Sequence, residues 1–322
     1  MEEVKFKIHR TERRSTRGAH KYESYVQAYE VPVTEGMTVL EGLLHITEHI
    51  DPSLGYRCSC RSAICGSCAM TINGFAKLAC NTSIASELEK HGEITVAPMK
   101  NNKPIKDLIV DQTPFWEKMQ KVTPYLNPKD ASAEEVTVTP EAMMMVNNSQ
   151  MCIMCGACNA SCNSLEIDSK FIGPAALAKS WRFVGDVREA EGAKRLEKLS
   201  DDHGMWDCVR CFHCTEYCPK GVEPLRQIER LRGAAIEKGI TDNKGAHHVV
   251  SMTESIHRIG MVDEVVMMFK SLGLLRSIGM IPFGLKMQLH GKAPMPHVLP
   301  RIKNLEQIHK LYKQIEGVHN EE

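Results

Sequence analysis

Cys152-Ile-Met-Cys155-Gly-Ala-Cys158-Asn-Ala-Ser-Cys162 is answered further along the chain by Cys208-Val-Arg-Cys211-Phe-His-Cys214-Thr-Glu-Tyr-Cys218-Pro219. Three cysteines at steps of three can wrap a loop around one iron–sulfur cubane. The fourth, four positions on, points away and reaches a second cubane. The expected ligand sets are therefore crossed: Cys152, Cys155, Cys158 and Cys218 for one cluster, and Cys208, Cys211, Cys214 and Cys162 for the other. Paired Cys-x2-Cys knuckles also bind zinc, but a zinc site gives no reason for a third cysteine at the same step in both runs.

Working outward from this pair, Cys60-x4-Cys65-x2-Cys68 followed by Cys80 has the plant-type spacing of a [2Fe–2S] site. Gly66 permits close backbone approach, and Asn73-Gly74 marks a hairpin turn that returns the last ligand. Of thirteen cysteines, Cys58 alone is left over. It reads as an unligated thiol beside the cluster, with an alternative ligand or a redox-active neighbour as the second reading. His213 and Trp206 read as packing groups around sites already fully ligated.

The remaining chain supplies the scaffold. Val4 to Ile8 alternates apolar and charged residues as a half-buried strand does, and Ser24 to Val33 is a second strand-like run. The basic stretch between them reads as a long hairpin loop. Thr38, with Glu41 three residues on, opens a helix ending near Ile50. Pro174 and Pro224 each open a helix in the second half. The fold class is α+β: an N-terminal β-grasp, plant-type ferredoxin domain over 1–112, a linker over 113–140, a helical, bacterial-ferredoxin-like domain over 141–240, and a helical extension over 241–322. Methionines at 261, 267, 268, 280, 287 and 295 give that extension two readings, adaptable core or contact surface for a partner.

Composition excludes several classes. Lys+Arg and Asp+Glu balance at 40 each, so no basic field draws nucleic acid. The cysteines are spaced for metal, which implies a reducing compartment for assembly. No G-x-G-x-x-G occurs, so dinucleotide or flavin chemistry belongs to another polypeptide. The N-terminus lacks the layout of a secretory signal, and no uncharged apolar run is long enough to span a bilayer.

Tyr56-Arg-Cys-Ser-Cys-Arg-Ser-Ala-Ile-Cys-Gly-Ser-Cys68, with Asp107-Leu-Ile-Val-Asp111, Pro124-Tyr-Leu126 and Cys218-Pro-Lys-Gly221, resembles the iron–sulfur subunits of succinate dehydrogenase and fumarate reductase over about residues 1–240. The resemblance implies an oxidoreductase subunit of the tricarboxylic acid cycle or anaerobic respiration. It would carry electrons between an FAD-containing flavoprotein and a quinone- or thiol-linked partner. Cys211 stands where most members have a non-cysteine residue and a [3Fe–4S] cluster, so one [2Fe–2S] and two [4Fe–4S] clusters are expected, with [3Fe–4S] as the alternative for the last. Asn163-Ser-Leu-Glu166 replaces the family's proline and tryptophan-bearing quinone wall. Both departures resemble the branch that pairs with a cysteine-rich, heterodisulfide-reductase-like or other membrane-linking subunit. The implied location is peripheral on the cytoplasmic membrane, on its cytoplasmic side, with the periplasmic side open through co-export. The competing assignment is a subunit of another flavin-linked complex, of the heterodisulfide reductase, glycolate or glycerol phosphate oxidoreductase kind.

Overall fold

The computed structural model describes residues 2–16, 19–130, 132, 135–292 and 302–320. They form two compact units, residues 1–235 and 236–322.

In the first unit, β1 (Glu2–Thr16) and β2 (Ala19–Val33) pair antiparallel along their whole length. The long loop expected between them is instead strand up to Thr16 and again from Ala19. Cross-strand contacts such as Tyr25 Oη to Glu12 (2.7 Å) and Thr11 to Ser24 (3.3 Å) make the outer ladder worthwhile despite its polar sequence. Val4, Phe6 and Ile8 point to one face and are buried, as the period-two pattern requires. Helix α1 (Val39–His45) begins in the expected capping box of Thr38 and Glu41 and continues as a wide turn to Ile50. It crosses the sheet so closely that a Cβ on Gly42 would lie 2.5 Å from the Phe6 ring.

Strands β3 (Ala69–Ile72) and β4 (Phe75–Leu78) form the hairpin around Asn73-Gly74, both of which have positive φ. After α2 (Ile84–His91), β5 (Ile94–Ala97) enters parallel to β1. The sheet order is β2-β1-β5-β3-β4. A short ribbon, β6 (Pro104–Lys106) and β7 (Ile109–Val110), closes this half. The segment expected as a linker opens with α3 (Thr113–Lys121), whose Phe115 and Met119 are buried.

The helical half comprises α4 (Pro140–Gln150), α5 (Ala157–Ala160), α6 (Asn163–Ile167), α7 (Pro174–Val184), α8 (Gly192–Ser200), α9 (His213–Glu216) and α10 (Pro224–Glu237). The prolines at 140, 174 and 224 occupy first-turn positions, where no N–H is needed. The ferredoxin half, the helical half and the extension together make the mixed α+β architecture read from the sequence.

The second unit contains α11 (Lys244–Ile259), α12 (Glu264–Leu272), α13 (Leu274–Gly279), α14 (Ile281–Leu289) and α15 (Leu305–Asn320). Asn243 and Asp263 cap α11 and α12 through Ala246 N–H and Val266 N–H. Arg258 pairs with Asp263 at 3.2 Å and Lys270 pairs with Glu254. Helices α12 and α14 have no buried residue, and α13 buries Ser277 alone. The core reading of the methionine-rich helices therefore fails there. Met295 and the rest of Ala293–Pro300 lie outside the described residues. No helix among the described residues is long and apolar enough to cross a membrane.

Candidate metal centres

The loop from Cys60 to Cys68 is built by left-handed backbone at Arg61, Ala63 and Gly66, with φ of 56°, 54° and 74°. Successive N–H groups consequently turn inward, as in an anion-binding nest. Ser62, Ile64 and Cys65 donate N–H groups to Cys60 Sγ at 3.3–3.4 Å, Ala63 donates to Cys80 Sγ at 3.3 Å, and Ser67 to Cys65 Sγ at 3.5 Å. The β3–β4 hairpin brings Cys80 alongside, where Ala79 N–H bonds Cys68 O at 3.1 Å. Hydrogen bonding, first from Ser67 and then from Cys60, draws the Cys65 thiol down to about 6. Burial pushes Cys68 up to about 12. Cys58 takes no part in these hydrogen bonds among the described residues; it packs against the sheet core.

The two later runs share one backbone. Left-handed residues fall two and four positions after the first cysteine in each: Met154 and Gly156, then Arg210 and Phe212. A single helical turn follows in each, α5 and α9, and ends so that Cys162 and Cys218 leave it in equivalent positions. Their N–H groups bond Asn159 O and Thr215 O, both at 3.3 Å.

The folding exchanges the last cysteines. Cys152, Cys155, Cys158 and Cys218 line one cavity with Met154 and Pro219. Cys162 lies among Cys208, Cys211 and Cys214, close enough for the charges to influence one another. Cys158 also feels Cys214, so the two groups are neighbours. Burial raises the thiols of Cys152, Cys155, Cys158, Cys162, Cys208 and Cys214, Cys155 to about 11 and Cys214 to about 12. Backbone N–H groups of Met154, Ala157 and Arg210 oppose this at Cys152, Cys155 and Cys208, and Val222 N–H reaches Cys218 Sγ at 3.4 Å.

Three groups of four thiols, each supplied with N–H donors, fit iron–sulfur clusters. A buried thiolate is unfavourable by itself, and coordinated iron reverses that cost.

The comparisons with known proteins agree. Residues 5–117 match the 2Fe-2S iron-sulfur cluster binding domain family, and residues 148–222 match the 4Fe-4S dicluster domain family. The chain is 41% identical over 209 residues to the fumarate reductase iron-sulfur subunit of Mycobacterium tuberculosis, across 64% of this chain and 84% of that one. It belongs to the family of succinate dehydrogenase and fumarate reductase iron–sulfur subunits. The mitochondrial succinate dehydrogenase [ubiquinone] iron-sulfur subunit 1 of rice is 35% identical over 218 residues, across 66% of this chain and 76% of that one. A chain of the Mycobacterium smegmatis Sdh1 complex in the apo form shares the fold, with a TM-score of 0.58 at 23% identity over 72% of this chain and 96% of that one.

Contacts between distant segments complete the surroundings of the centres in this iron–sulfur subunit. Gly66 read as a close approach to metal, yet the neighbour is protein: a Cβ there would lie 2.8 Å from Cys155 Cβ and 2.9 Å from its Cα. The loop of the first centre thus rests on the loop of the second. Asn101 Nδ2 strengthens that junction by donating to Asn159 O (2.9 Å) and Cys162 O (3.0 Å). Arg232 braces the Cys208 loop, donating to Met205 O (2.6 and 3.0 Å) and Cys208 O (2.8 Å). Its guanidinium lies over the Trp206 ring at 5.2 Å. Trp206 and His213 have packing contacts; Trp206 Nε1 donates to Ser200 Oγ at 3.3 Å, and His213 meets Tyr217. Buried Arg10 binds Asp107, Asp51, Tyr29, Gln27 and Ser53, and Asp107 in turn accepts from Thr11 N–H and Gly55 N–H. This network ties β1 to the segment that leads into the first metal loop.

Proposed function

We propose that this subunit carries three clusters and passes electrons between an FAD-containing flavoprotein and a quinone- or thiol-linked partner. The assignment is [2Fe–2S] on Cys60, Cys65, Cys68 and Cys80, [4Fe–4S] on Cys152, Cys155, Cys158 and Cys218, and [4Fe–4S] on Cys208, Cys211, Cys214 and Cys162. When bound, the clusters supply one-electron carriers. The chain's own residues would set their order. Gly66 against Cys155 places the first loop on the second, and Cys158 beside Cys214 places the second group by the third.

The observation that carries the reading is the exchange of Cys162 and Cys218 between the two runs, which gathers four thiols twice. The third group is open at its surface. Val209 and Phe212, apolar residues next to its ligands, are 65% and 64% exposed. That surface suits a partner that takes or gives the electrons, a cysteine-rich, heterodisulfide-reductase-like or other membrane-linking subunit. The complex would lie peripherally on the cytoplasmic membrane, on its cytoplasmic side.

Iron and acid-labile sulfide analysis of anaerobically prepared protein should each approach about ten atoms per chain. Low-temperature EPR of the oxidised protein should lack a stoichiometric [3Fe–4S] signal. Such a signal would remove Cys211 from the ligand set.

A further inference from the structure

The extension carries an exposed apolar surface that the metal centres do not use. Helices α13 and α14 run almost continuously from Leu274 to Leu289. Leu274, Ile278, Ile281, Leu285 and Leu289 recur at steps of three and four, and all five are exposed, Leu289 at 86%. Leu275, also 86% exposed, and Phe283 widen the surface beyond this stripe. A helix apolar around much of its circumference normally lies in a core or in lipid, and among the described residues no core surrounds this one.

Charge decides between occupants. From Val265 to Leu305 the sequence contains six Lys or Arg residues and no Asp or Glu, within a chain whose charges balance as a whole. Lys270 is paired with Glu254 of α11, and Arg258 of the same helix is paired with Asp263. Among the described residues, no carboxylate lies within ion-pair distance of Arg276, Lys286 or Lys292. All three are exposed, on or beside the apolar helices. Protein interfaces are depleted of lysine at their cores. An apolar surface flanked by cations alone complements an anionic bilayer surface, where leucine and phenylalanine enter the acyl boundary and lysine and arginine meet headgroup phosphates. The two helices together are too short to span the hydrocarbon.

We propose that α13 and α14 are an in-plane membrane anchor that seats this subunit directly on anionic lipid, in place of the partner contact expected for the extension. The proposal rests on the peripheral location given above and is independent of the electron-transfer assignment, because its readout is lipid binding alone.

The test is co-sedimentation of the full, cluster-loaded chain with vesicles of phosphatidylcholine mixed with phosphatidylglycerol, and with vesicles of phosphatidylcholine alone. The chain should sediment with the mixed vesicles, bind pure phosphatidylcholine more weakly, and be released by salt. Leu275→Glu combined with Leu285→Glu and Leu289→Glu should weaken binding at least about tenfold. Arg276→Gln, Lys286→Gln and Lys292→Gln should each weaken it about fivefold at low salt. These side chains are exposed, so unchanged visible absorbance and circular dichroism should accompany both sets. Failure to bind the mixed vesicles, or equal binding by the leucine variant, would overturn the proposal. Loss of a co-purifying subunit from the leucine variant, with no vesicle binding by the parent chain, would make the surface a protein interface instead.

Discussion

The two four-cysteine runs have nearly the same backbone and opposite surroundings. Each uses left-handed residues two and four places after its first cysteine, one turn of helix, and a last thiol delivered to the other group. The first run is covered: Gly66 rests on Cys155, and Met99 and Phe115 approach Gly156. The second is open, with Val209 and Phe212 exposed and Arg232 bracing it from below. The repeated motif therefore specifies local geometry, while what packs on each copy sets its position in a sequence of carriers. A covered centre suits a relay inside the protein, and an open one suits exchange with a partner.

The largest expected effect breaks the symmetry at the exchanged ligands. Cys218→Ser should damage the centre held by Cys152, Cys155 and Cys158, and Cys162→Ser the one held by Cys208, Cys211 and Cys214. Each should lower iron content by up to about four atoms. EPR of the two variants distinguishes them, and loss of the sequence-local centre in each would refute the exchange.

Covering is tested next. Gly66→Ala places a side chain on left-handed backbone and against Cys155, which should destabilise the first unit by about 3 kcal/mol. Thermal loss of visible absorbance should report it, together with slower reduction of the later clusters by a donor acting at the first. An unchanged profile would mean that the two loops are not in contact.

Bracing gives a smaller effect. Arg232→Met leaves Met205 O and Cys208 O without their buried donor and should cost about 2 kcal/mol. The bleaching should begin at the Cys208 centre and spare the first run. The smallest change has the opposite sign: Phe212→Gly relieves a non-glycine residue at φ 66° and should stabilise by about 1 kcal/mol. Because it also removes an exposed aromatic group beside the open centre, partner-linked turnover should fall while stability rises.

Much of this was legible because cysteine spacing is a strict code. Thiols at steps of three with a fourth four places on have few ways to hold metal, so grouping and exchange could both be read before any coordinates. The capping box at Thr38 and the Asn73-Gly74 turn were legible for a similar reason: each rests on a few local residues. Contacts between distant segments were not. Nothing in Val4 to Ile8 announces that Arg10, just beyond it, binds Asp107 and Asp51, since an arginine in an alternating strand reads as solvated. The polar outer ladder of β1 and β2 was missed because its strand state comes from mutual pairing rather than from burial. Gly66 was recognised as a close approach, but only the fold reveals that Cys155 is what approaches it.

The exchange of Cys162 and Cys218 also has a consequence for biosynthesis. With the proposed ligands, neither cubane site is complete when the first run leaves the ribosome; the stretch through Cys214 must follow before one has four thiols, and Cys218 before the other does. The two sites would then mature as nested loops, the one closed between Cys162 and Cys208 lying wholly inside the one closed between Cys158 and Cys218. Removing the inner cluster leaves the outer loop closed, whereas removing the outer one frees the segment that carries every ligand of the inner site. Loading should accordingly be ordered, with the inner site able to fill first, and half-filled chains should carry iron at the Cys208 centre.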